Sequence, residues 1–113
     1  MKVDKMLEES WTLLHIYNTY ARKIFEKTND PEIKLLLLVF YYDKDLKEFI
    51  ERMKAEREEF LKKINEENSF EAYLIYKQFE KDYNEFKNRI YERIESLVKI
   101  RALDIARKSL NSQ

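Results

Sequence analysis

The 113-residue chain contains no glycine and one proline, Pro31. Glycine reaches positive φ without steric penalty, and tight hairpin turns, phosphate-binding loops and nucleophile elbows depend on it. Its absence argues against sandwiches, barrels, Rossmann folds and P-loops together. What remains for a chain that can fold is α-helix.

The apolar residues carry that period. From Val3 to Thr28 the positions Val3, Leu7, Ser10, Leu14, Tyr17, Ala21, Ile24 and Thr28 alternate steps of four and three, with Met6, Leu13, Tyr20, Trp11 and Phe25 widening the stripe. Such breadth suits a bundle better than a two-stranded coiled-coil seam. Asp30, Pro31 and Glu32 then read as an N-cap, a first helical position and an acid at the positive dipole end. The connection is short, so the second helix folds back antiparallel. It is predicted to run unbroken from Pro31 to about Ile64 along Leu36, Val39, Asp43, Leu46, Ile50, Met53, Arg57 and Phe60. Asn68 and Glu71 have capping-box spacing. The third stripe follows through Tyr73, Tyr76, Phe79, Tyr83, Phe86, Ile90, Ile94 and Leu97, then slips to Val98, Ala102 and Ile105. The expected fold is an all-α antiparallel bundle of three long helices forming one domain over residues 1–113. A break in the third helix near Ser96, giving four helices, is the alternative.

Apolar residues make up 44% of the chain, enough for one core, while 39% are charged. Lys and Arg number 22 and Asp and Glu also 22, so the net charge is zero. A nucleic-acid binder usually carries a basic excess. The one local excess lies on the third helix: Lys87, Arg89, Arg93, Lys99, Arg101, Arg107 and Lys108, against Glu92, Glu95 and Asp104. It marks a nucleic-acid face as the third-ranked reading, behind a solvated helix face. Dense Glu and Lys without cysteine resembles hyperthermophile composition. The absence of cysteine excludes disulfides, zinc–thiolate sites and iron–sulfur clusters. No apolar leader follows Met1, and the longest apolar run, residues 35–42, is too short to span a bilayer, so a cytoplasmic location is expected.

Chemistry is sparse. A Ser-His-acid arrangement needs the single histidine, His15, which lies one step off the first seam beside Trp11 and reads as a boundary residue. The aromatic stripe from Tyr73 to Phe86 could stack bases, but at this spacing it reads as core. Glu8/Glu9, Asp43/Asp45 and Glu58/Glu59 read mostly as solvated charges. Asp43 differs because it stands on an apolar seam, where a carboxylate needs a basic partner, a hydroxyl or a metal.

Residues 17–53 resemble the ferritin-like, rubrerythrin-type helical hairpin. The resemblance rests on Tyr17, Tyr20 and Ala21, the turn from Thr28 through Asp30, Pro31 and Glu32 to Leu36, then Tyr42, Asp43, Leu46, Lys47, Glu48 and Phe49. It implies a four-helix bundle with carboxylate metal ligands, for which Glu9 and Asp43 are the candidates. Leu46 stands where the family's Glu-x-x-His motif has histidine, so the resemblance implies an incomplete metal site.

The expected function is therefore non-enzymatic: a small accessory or structural subunit acting through protein–protein interaction or self-assembly, with no cofactor, no small-molecule substrate and no membrane. Residues 35–42 are apolar on every side, more than three helices cover. Leu35, Leu37, Leu38, Phe40, Tyr41 and Tyr42 are the expected interface of a homodimer or of a protein partner. A ferritin-like metal-carboxylate protein and a nucleic-acid accessory protein are the alternatives.

Overall fold

The computed structural model describes residues 1–41 and 45–111, with residues 40 and 41 described in their backbone only. Among the described residues it is an all-α bundle of four helices: α1 (Lys2–Lys27), α2 (Pro31–Tyr41), α3 (Asp45–Asn65) and α4 (Ser69–Asn111). These form three rods, because α2 and α3 follow one another along α4. The molecule measures 69 × 17 × 16 Å. The 43 residues of α4 span about 65 Å at 1.5 Å each and set that length.

Side-chain pairs fix the directions. Lys2 lies over the Tyr76 ring, Glu9 accepts a hydrogen bond from Tyr83, and Thr28 meets Asp104, so α1 and α4 run parallel in constant register. Arg107 meets Asp30, Arg89 meets Asp45, and Lys63 meets Glu71, so α2 and α3 run antiparallel to α4. Up, down, up is what short connections between three rods require.

The core lies along the common axis. α1 supplies Val3, Met6, Leu14, Tyr17, Ala21 and Ile24, close to the predicted seam, with Met6 taking the place expected of Leu7. α3 supplies Leu46, Phe49, Ile50 and Met53, and α4 supplies Phe79, Tyr83, Phe86, Ile90 and Leu97. Full burial of each large apolar side chain stabilises by about 1.5–3 kcal/mol.

The helix ends follow the predicted chemistry. Asp30 Oδ1 accepts the Glu32 N–H at 3.0 Å, capping α2. Asn68 Oδ1 accepts the Glu71 N–H at 3.2 Å, capping α4. The Glu71 carboxylate does not complete a capping box but pairs with Lys63 at 3.0 Å. The reason lies in the preceding turn. Asn68 N–H bonds the Lys63 carbonyl at 2.9 Å and Glu67 N–H the Ile64 carbonyl at 3.0 Å, a Schellman closure of α3. Glu67 takes the left-handed position at φ 58°, where a chain with glycine would place one.

Two predicted stripes are corrected in phase. The predicted second helix, Pro31 to about Ile64, is described as α2 and α3, and its passage through residues 42–44 lies outside the described residues. Leu37 and Leu46 are both buried, yet nine residues is about two and a half turns, which puts them on opposite sides of any continuous helix. The single seam read from the sequence therefore cannot carry both. The inward residues of α2 are accordingly Ile33 and Leu37, whereas Leu36 and Val39, placed on the seam by the sequence, are exposed. The last predicted helix, α4, runs unbroken through Ser96 as the preferred reading has it, and the Ser96 hydroxyl bonds the Glu92 carbonyl at 3.1 Å. The stripe does not slip after Leu97. It continues in regular steps to Asp104, which is buried, while Val98, Ala102 and Ile105 face outward. Following apolar residues alone led away from the inward face, because its next fully buried position is a carboxylate.

Candidate functional site

α2 carries only two charges, Glu32 and Lys34. Both are occupied at its inner margins. Glu32 Oε2 receives Arg107 Nη2 at 2.9 Å, and the Lys34 ammonium lies over the Phe25 ring, 5.4 Å from its centroid. The remainder is apolar all round. Ile33 and Leu37 fill the core, with Leu37 fully buried. The opposite side is bare: Leu35 is 66% exposed and Val39 69%, with Leu36 and Leu38 exposed on the flanks. Leu35 and Val39 are four residues apart and form one ridge along the helix. On α4, Leu103 adds exposed apolar surface at the level of α2.

Of the interface residues expected from the sequence, Leu35 and Leu38 are thus on the surface, and Leu37 is corrected to the core. Its side chain points inward because the seam of α2 passes through Ile33 and Leu37. The side chains of Phe40 and Tyr41, and the whole of Tyr42, lie outside the described residues. Leu36 and Val39 belong to the exposed face and were missed, because the sequence seam assigned them inward.

Of the two metal candidates, Glu9 alone falls among the described residues. Asp43 lies outside the described residues. Glu9 on α1 accepts the Tyr83 hydroxyl of α4. Burial and the Glu9 carboxylate together push the Tyr83 hydroxyl up to about 12. Leu46 is a core residue. Among the described residues there is no group of three His, Cys, Asp or Glu side chains arranged to hold a metal ion.

The seven bases predicted for the last helix, now α4, do not form one face. Arg89 and Arg93 reach Asp45 of α3; Arg107 reaches Asp30 and Glu32 of α2; Lys99 reaches Glu95; Arg101 and Lys108 both reach Asp104. Lys87 lies over the Tyr83 ring. They point around α4: Arg89, Arg93 and Arg107 tie it to the neighbouring rods, as does Lys108 through the Lys27 carbonyl, while Lys87, Lys99 and Arg101 engage partners on α4 itself. A phosphate backbone would have to compete with those carboxylates.

His15 lines a shallow depression on α1 with Ile16, Thr19, Tyr20 and Lys23. A groove of about 380 Å³ between α1 and α4 is lined by Lys5, Glu8, Glu9, Thr12, Leu13, Lys87 and Tyr91. Its two acids and two bases leave no single sign of charge to fix a ligand.

Two polar groups in the interior were not expected. Asp104 is fully buried, accepting hydrogen bonds from Thr28 and Arg101. Burial alone would raise its carboxyl, but the Thr28 hydrogen bond and the Lys108 and Arg101 charges hold it below the usual carboxylate range. Asp82 is the other, and it faces Glu56 of α3. Both aspartates continue the step pattern of the α4 stripe, a signal that was legible had the period been followed irrespective of residue type.

Compared with known proteins, the chain has no significant match among protein families, curated proteins or solved structures. No described helix is long and apolar enough to cross a membrane.

Proposed function

We propose that this chain is a non-enzymatic interaction subunit that self-associates through the outer face of α2. The observation that carries the reading is the Leu35–Val39 ridge, the most exposed pair of aliphatic side chains on a helix whose only two charges are already engaged elsewhere. Contiguous apolar surface of this kind marks interaction sites in soluble domains. A second copy suits it because the face is uncharged and so meets itself without like-charge repulsion. A two-fold contact is also self-complementary by construction, so Leu35 of one copy can pack beside Val39 of the other across antiparallel ridges. The flanking Leu36 and Leu38 widen the surface to the breadth that two crossing helices need.

Sedimentation velocity over about a hundredfold dilution tests the reading. A species of twice the chain mass that persists or dissociates reversibly supports it. A monomer at every concentration up to the millimolar range removes it.

A further inference from the structure

Glu56 of α3 and Asp82 of α4 set two carboxyl groups against each other inside the contact between these helices. Asp82 is 4% exposed. Glu56 Oε2 is buried, with no hydrogen-bond partner among the described residues. Gln78 Nε2 donates to Asp82 Oδ1 at 3.3 Å. Arg52, one turn earlier on α3, attracts Glu56 but lies over the Phe49 ring, in a groove it shares with Glu48, Glu51, Glu85 and Arg89. From α1, Asp4 is held by Arg57, and Glu8 faces Lys54 and Glu58. Among the described residues, the carboxyl pair therefore has one amide donor and a guanidinium engaged elsewhere for its four oxygens. Two carboxylates in contact cannot both hold charge at little cost, and a hydrogen bond between them requires one proton.

We propose that Glu56 and Asp82 share a single proton across the α3–α4 contact, and that losing it loosens these two helices, so that the bundle weakens as the solution turns alkaline. Burial first, and the Asp82 carboxylate second, push the Glu56 carboxyl up to about 8. In the unfolded chain the same group releases its proton near 4.5. The stabilisation is complete below the unfolded value and is lost as pH rises through the folded one. Above it, two like charges face each other where α3 and α4 pack.

Carboxyl carbon NMR of glutamate-labelled protein, with thermal melts from about pH 5 to pH 9, tests this. Glu56→Gln keeps a donor toward Asp82 but cannot ionise. One glutamate resonance is expected to titrate above about pH 7 and to be missing from Glu56→Gln. The wild-type melting midpoint is expected to fall by about 4 °C or more between pH 6 and pH 9, while that of Glu56→Gln stays level. Parallel curves for the two proteins, or no glutamate resonance titrating above about pH 6, would overturn the proposal. Should Glu56→Gln fail to fold, the wild-type spectrum alone decides between the two outcomes.

Discussion

Thr28 Oγ1 donates a 2.6 Å hydrogen bond to Asp104 Oδ1, joining the end of α1 to a carboxylate 76 positions later on α4. Thr28 is the C-cap of α1, and its hydroxyl also accepts the Asp30 N–H at 3.2 Å. Arg107 then binds Asp30, so one end of the bundle is closed by a chain of polar contacts through all three rods. A buried carboxylate with this many partners is costly to disrupt from one side. Asp104→Ala is expected to lower the unfolding free energy by about 3 kcal/mol, and Thr28→Val by about 1–2 kcal/mol. Urea denaturation measures both. A loss below about 0.5 kcal/mol for Asp104→Ala would show that the cluster is ornamental to the fold.

The same cluster sets the acid limit. Asp30 is held below the usual carboxylate range, chiefly by its hydrogen bond from Arg107, and Asp104 is held low as well. The unfolded chain therefore takes up these protons at a higher pH than the folded chain does. Their stabilisation is present above the ordinary carboxylate pKa of about 4 and drains away as pH falls below it. Melting midpoints of wild type and Asp104→Asn, measured from about pH 6 to about pH 2.5, are expected to converge at the acid end. A gap that stays constant over the whole range would contradict this.

Leu35 and Leu37 lie on opposite faces of α2, one exposed and one buried. Leu37→Ala empties a fully buried site and is expected to cost about 2–5 kcal/mol. Leu35→Ala removes surface from the isolated chain and is expected to change its stability by no more than about 0.5 kcal/mol. Chemical denaturation of both, at a concentration where the wild type is monomeric, makes the comparison. A reversed order would contradict the inward placing of Leu37.

Glu67 offers a gain. A residue with a Cβ at φ 58° is strained, and glycine is not. Glu67→Gly is expected to stabilise by about 1 kcal/mol, raising the melting midpoint by several degrees. A lowered midpoint would mean that the Schellman turn contributes less than the flexibility glycine adds to the unfolded chain.

Much of this fold was legible because the chain is so one-sided. With no glycine, the 3.6-residue period had no competitor, and α1 buries nearly the stripe its sequence draws. The caps at Asp30 and Asn68 were also readable, because capping needs a short side-chain acceptor at one fixed position. What escaped was phase and polarity. Residues 35–39 are apolar in succession, so periodicity could not say which of Leu36, Leu37 and Val39 points inward; packing against α1 and α4 decided it. Asp104 escaped because its charge hid an inward position whose partners, Thr28 and Arg101, are supplied partly by another helix. Of the proposed interface, the segment was legible and the individual side chains were not.

Self-association through α2 is tested most directly by comparing wild type with the double variant Leu35→Glu, Val39→Glu, using light scattering coupled to size exclusion at one high concentration. Both substitutions lie on the exposed ridge, so the variant should retain its helical circular dichroism and cooperative melt. The account predicts a wild-type mass twice the 14.0 kDa of the chain and a variant at the chain mass. A wild type that runs as a monomer, or a folded variant that stays dimeric, would contradict it.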